Sequence, residues 1–165
     1  MKSAICSLVT AATLLSSAAN ADCSPVIAGF KKAQREPRVA AYSVSGKDQK
    51  PSGDPWTVRI GDSVYINGVF NGLQPGFIKD DSTIFPHTTD FEPKHATVAC
   101  TVVGEDRYQG KPAIRIHVQR SDRDTGNVVW FDRTSGLPVY EETDDKMIAF
   151  VFAYGDAVKE PVVRP

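Results

Sequence analysis

The chain has 165 residues, of which 41% are hydrophobic and 24% charged, and nineteen basic residues against twenty acidic ones leave a formal net charge of −1. That balance excludes a disordered chain, a collagen, a coiled coil and a multi-pass membrane protein. With neither a basic surplus nor an acidic tail, no nucleic-acid partner is expected.

The N-terminus reads as an export signal. Lys2 is the only charge before Asp22, and an apolar, small-residue stretch from Ala4 to Ala18 follows, with Leu8, Val9, Leu14 and Leu15 as its bulk. Ala19-Asn20-Ala21 then fits the small-x-small cleavage pattern. A transmembrane anchor is the competing reading, but the stretch falls short of the ~20 apolar residues needed to span. Residues 1–21 are therefore taken as a signal peptide and residues 22–165 as a single domain. No later segment is long enough to span; the most apolar, Met147 to Tyr154, is too short. Cys6 leaves with the signal, so Cys23 and Cys100 remain. In an oxidising compartment this pair is expected to form a disulfide. No Cys-x-x-Cys or clustered His/Cys set supports a redox or metal role, and Asp22 directly before Cys23 does not suit a lipidated cysteine.

The spacing predicts a helix over Ser24 to Arg35. Pro25 suits its first turn, Ile27, Ala28, Phe30 and Ala33 fall at helical spacing, and Pro37 ends it. The period then changes to two. Val39 to Val44 reads as a strand, and Gly46 to Pro55 as a polar loop. Trp56, Val58 and Ile60, the Gly61-Asp62 turn, then Val64 and Ile66 make a hairpin. Val69 to Phe70 and Gly76 to Ile78 are weaker strands. Lys79 to Lys94 has no clear period and reads as a long loop.

Val98, Cys100 and Val102 share a face, and Gly104 to Lys111 is expected to turn. Ile114, Ile116 and Val118 then alternate with polar neighbours, and Val128 to Asp132, Leu137 to Thr143 and Met147 to Tyr154 complete an antiparallel meander. The last strand is apolar on both faces, so each needs cover, or one lines a cavity.

Chemistry-bearing patterns are sparse. No Gly-x-Ser-x-Gly, His-Glu-x-x-His, phosphate loop or dinucleotide fingerprint occurs, and no cofactor is expected. Ser135 belongs to a Thr-Ser-Gly turn. His87 and His95 flank Asp90 and Glu92, a donor density that a divalent metal could use, but the spacing fits a solvated loop better. His117 alternates with Ile116 and Val118 and faces solvent or a strand neighbour. Glu141, Glu142, Asp144 and Asp145 read as a charged hairpin edge rather than a catalytic pair.

The segment from Val129 through Trp130-Phe131-Asp132-Arg133-Thr134-Ser135-Gly136-Leu137-Pro138 to Glu142 resembles a hairpin of periplasmic proteins similar to the LolA/LolB lipoprotein-carrier superfamily. Ile60-Gly61-Asp62-Ser63-Val64-Tyr65, Tyr108-Gln109-Gly110-Lys111-Pro112-Ala113 and Tyr154-Gly155-Asp156-Ala157-Val158 resemble further family pieces in the same order. The resemblance implies a mainly β (α+β) fold: an open, strongly curved antiparallel sheet, a half-barrel, with the N-terminal helix packed in its concave face. It also implies a periplasmic location, an apolar cavity for a lipid or lipoprotein acyl chain, and no catalytic residues. The candidate cavity residues on the best-patterned strands are Trp56, Val58, Ile116, Trp130, Phe150 and Phe152. The chain departs from the family in being short, with one helix where a carrier has several.

The expectation is a monomeric, non-enzymatic periplasmic protein that binds an acyl chain or other apolar ligand. The alternatives are an interaction module with a filled core and, behind it, a metal-dependent enzyme using the His87–His95 loop.

Overall fold

The computed structural model describes residues 22–47, 49–71, 76–87 and 95–163. The predicted signal, Asp90 and Glu92 lie outside these. Helix α1 (Ser24–Ala33) is followed by β1 (Arg38–Ser43), β2 (Thr57–Ile60), β3 (Ser63–Asn67), β4 (Phe77–Lys79), β5 (Val98–Tyr108), β6 (Lys111–Arg120), β7 (Asn127–Asp132), β8 (Pro138–Thr143) and β9 (Ala149–Tyr154). The fold is mainly β: one nine-stranded antiparallel sheet with one short N-terminal helix lying against β8. No described helix is long and apolar enough to cross a membrane.

The strand order is β4-β3-β2-β1-β9-β8-β7-β6-β5. The chain starts at the centre, walks out to one edge through β4, reappears at the opposite edge as β5, and walks back until β9 pairs with β1. The sheet is neither closed nor strongly curled, which corrects the expected strong curvature. The connection from β4 to β5 must therefore traverse the whole sheet. Eight strand spacings of about 4.8 Å come to roughly 38 Å, well within the reach of the 18 residues from 80 to 97 at about 3.3 Å each. Phe85, 4% exposed, joins the core on the helix side, so the described start of this connection lies on that face.

Alternation divides the sheet into an inner face under α1 and an outer face. The inner core gathers Val39 and Ala41 from β1, Val64 from β3, Cys100 from β5, Ile116 and Val118 from β6, Val129 and Phe131 from β7 and Phe152 from β9, around Val26 and Phe30 of the helix. Two smaller clusters cover the outer face. One unites Tyr108, Ala113, Trp130, Tyr140, Ala149 and Val151. The other unites Ala40, Val58, Phe77 and Val158. The two-sided apolar β9 thus has cover on both sides: Phe152 within, Ala149 and Val151 without.

The buried helical stripe is Val26, Gly29, Phe30 and Ala33, rotated from the predicted one, and Ala28 is exposed. Gly29 explains the rotation. A Cβ there would lie 2.4 Å from the Phe131 ring and 3.0 Å from the Gly136 carbonyl, so only glycine lets the helix come this close. One strand prediction and one turn prediction also shift. Val69 to Phe70 is a 3-10 turn (Gly68–Asn71), because the Asn67 side chain accepts the Val69 amide at 3.1 Å and bends the chain. Between β5 and β6, where Gly104 to Lys111 was expected to turn, the strand continues to Tyr108. Gly104, at φ +143°, absorbs a bulge, and Gln109-Gly110, with positive φ at both residues, makes a two-residue hairpin turn.

The edges are treated differently. At β4, Val163 forms a parallel bridge to Phe77. At β5, the bulge is followed by Glu105, which accepts a hydrogen bond from Arg133, and by Arg107, whose guanidinium donates to the Gly110 carbonyl.

Cys23 and Cys100 form the expected disulfide, joining the residue before α1 to β5 across a separation of 77 residues. Replacing either cysteine by serine is expected to cost about 4 kcal/mol, the chain-entropy value for a loop of this length, in reversible denaturant unfolding. Gly29→Ala is expected to destabilise by about 1–3 kcal/mol despite the better helix propensity of alanine, because the Phe131 ring must move. An unchanged or raised melting temperature for this variant would contradict the close approach.

Candidate functional site

The inner face is packed under most of the helix and opens at one end. There Phe30 stands edge-on to Phe131 and to Phe152, each ring centroid 6.0 Å away. Beyond it lies a pocket of about 240 Å³. Its floor is apolar: Phe30, Ala41, Phe152 and the pair Trp56–Phe150, stacked at 4.9 Å with 21° between planes. Phe85 and His87 of the crossing segment form one wall. Asn127, Glu141 and Thr143, at the ends of β7 and β8, supply a polar side, and Arg123 and Ile148 stand on turns at the mouth.

Arg59 on β2 holds the wall in place. Its guanidinium donates to the carbonyls of Phe85 (2.9 Å), Gly61 (2.7 Å), Ala33 (3.1 Å) and Glu36. It thereby satisfies carbonyls at the C-terminal end of α1 and pins the crossing segment with the same group. Gln34 adds a bond from its amide to the Pro86 carbonyl at 2.7 Å. Helix, sheet and crossing segment are thus tied by one half-buried cation and one amide.

Of the predicted cavity residues, the structure brings together Trp56, Phe150 and Phe152. Ile116 is 4% exposed in the inner core and does not line the pocket. Val58 and Trp130 belong to the outer face. Register explains the separation: the partner of Ile116 is Val129, so its neighbour Trp130 must point the other way. Trp56 shares its parity with Val58 but precedes β2, so strand alternation does not bind it. Glu141 and Asn127 were within reach of the same reasoning, since Glu141 pairs directly with Phe150 and Asn127 lies two residues before Val129. Phe85 carried no signal, lying in a segment without period.

On the outer face, Trp130 makes a different site. Its indole donates to Asp106 at 2.9 Å, and Asp106 also accepts from the Lys47 ammonium at 3.0 Å and the Arg107 amide at 2.7 Å. Tyr140 stacks on Tyr108 and meets Trp130 edge-on. Lys47 belongs to the β1–β2 loop, so this carboxylate fastens that loop to the outer aromatic cluster.

The other polar candidates are engaged locally. Ser135 donates its hydroxyl to Asp132 at 2.9 Å, inside the turn that Asp132 organises by also accepting the Thr134 and Ser135 amides. The imidazole of His117 sits 2.9 Å from Asp144, which also accepts the Gly126 amide. Glu141 accepts from Asn127 and Glu142 from the Tyr140 hydroxyl, both at 2.8 Å, and Asp145 accepts from Thr143 at 2.6 Å. No group of three or more His, Cys, Asp or Glu side chains is placed to hold a metal among the described residues. The sequence matches no protein-family model and no curated protein.

The hydrogen bond from Trp130, then those from Lys47 and the Arg107 amide, holds the Asp106 carboxyl far below the usual carboxylate range. The folded state therefore binds this proton less readily than the unfolded chain. The stability it contributes is complete above the ordinary carboxylate value of about 4 and fades as pH falls below it. Asp106→Asn is expected to lose about 1–2 kcal/mol near neutral pH. Its stability is also expected to fall less steeply than wild type below about pH 4, as read by denaturant melts across pH. Parallel acid limbs would rule out this role.

Proposed function

We propose that this chain is an exported, periplasmic, non-enzymatic binding protein that holds the apolar part of a ligand, an acyl chain foremost, in the pocket beside α1. The observation that carries the reading is the aromatic floor of that pocket, with Phe150 and Phe152 from β9 and Trp56 from the entry to β2 converging beneath a tethered wall. Ligand sites are mostly apolar clefts with a few placed polar groups, and this one has that make-up. Its 240 Å³ lies just below the usual 300–1,000 Å³ of small-molecule sites, so it suits one short apolar segment rather than several chains. A half-barrel relationship to the LolA/LolB lipoprotein carriers agrees with the nine-stranded antiparallel sheet, the single helix on one face and the Gly136-Leu137-Pro138 hairpin. On this reading the protein acts as a monomer without a cofactor.

A second reading is an interaction module. The packed inner core favours it, with Phe30, Phe131 and Phe152 filling most of the space under the helix. So do Met147 and Ile148, 83% and 52% exposed next to the pocket mouth.

Native mass spectrometry of protein purified from periplasm separates the two. Carriage predicts a co-purified lipid mass that Phe150→Ser weakens about tenfold or more, the loss of one buried aromatic contact. A clean apo mass with no gain on adding lipid, together with a single protein partner in a pull-down, favours the module instead.

A further inference from the structure

The charged groups on the polar side of the pocket are committed within the protein. Glu141 is half-buried and accepts the Asn127 amide at 2.8 Å, and both Glu141 and Arg123 are engaged with other groups of the chain. The Thr143 hydroxyl donates to Asp145 at 2.6 Å and accepts the Ile148 amide at 3.2 Å. Open hydrogen-bonding capacity remains at Asn127, half-buried on the inner face of β7 two residues before Val129. A carboxylate only accepts, so the bond to Glu141 comes from the Asn127 amide nitrogen, and this fixes which way the carboxamide points. One N–H and the carbonyl oxygen of this side chain are left without a partner among the described residues, on the lining of the pocket.

An ionised headgroup fits this lining badly. An ammonium meets a carboxylate that is already committed. A carboxylate is set near Glu141 while Arg123 is held elsewhere, and a charge drawn out of water without a partner is costly. A neutral group that both donates and accepts matches the open N–H and carbonyl of Asn127 and displaces nothing. Resting on the reading of this pocket as an apolar-ligand site, we infer that its ligand is an uncharged amphiphile whose polar end is a hydroxyl or a primary carboxamide seated on Asn127. The apolar floor then sets affinity, and Asn127 sets which polar end is accepted, since a buried polar group left unpaired is what rejects the wrong ligand.

The test is calorimetric titration of the wild-type mature chain at pH 7 with five probes built on an eight-carbon chain: 1-octanol, octanamide, methyl octanoate, octanoate and octylammonium. Octanol and octanamide are expected to bind at least about fivefold more tightly than methyl octanoate, which cannot donate, the scale of one net hydrogen bond. Both ions are expected to bind more weakly than octanol by at least the same factor. Asn127→Ala is expected to bring octanamide level with methyl octanoate. An advantage that survives this substitution, or an ion that binds as tightly as octanol, would overturn the inference while leaving the apolar pocket intact. The wild-type ranking decides the matter on its own should the variant fold poorly. If no probe binds, the pocket reading itself fails.

Discussion

The pairing of β9 with β1 is the constraint on which the rest of the molecule depends. It places the first and last strands side by side at the centre of the sheet and leaves β4 and β5 at opposite edges. A chain wound this way must cross one face between them. The crossing supplies Phe85 to the core and, with His87, a wall to the pocket, so the site follows from the topology rather than from an added lid. The single helix then has only part of the inner face to cover.

How the helix covers it follows from one small residue. Gly29 brings the α1 backbone against Phe131, which seats Phe30 between Phe131 and Phe152, with open space toward Trp56 and Phe150. Two tethers of different kinds hold this arrangement. The disulfide restrains the N-terminal end of α1 through the entropy of the unfolded chain. Arg59 restrains the other end through carbonyls of the folded one.

Much of this was legible in the residues. Period-two alternation located the Trp56–Ile66 hairpin and the meander after Val98, and the helical spacing after Ser24 located α1. Cysteine counting located the disulfide. The site was legible only in part. Phe150 and Phe152 line the pocket and share one face by alternation, while Trp56 reaches it from outside the alternation of β2. Val58 and Trp130 were grouped with them because composition says that a residue is buried, while only register says on which face. The same gap hid the shifted helical stripe: helical spacing allows neighbouring stripes, and the choice fell to a steric contact 102 residues along the chain, between Gly29 and Phe131. Phe85 was beyond reach because its burial comes from a long-range crossing that leaves no local period.

The two rims of the sheet bear on how crowded this protein can be. A nine-stranded sheet that does not close offers unpaired amide and carbonyl groups along β4 and β5, and such rows invite strands from other molecules. At β4 the chain lays its own C-terminal segment alongside, with Val163 bridged to Phe77. At β5 the glycine bulge breaks the straight run after Val102, and charged Glu105 and Arg107 occupy the stretch beyond it. Trimming the tail before Val163 would therefore do more than shorten the chain. It would uncover a ready template for fibril-like stacking on the side where the strand is shortest, while the longer β5 stays guarded by its own kink.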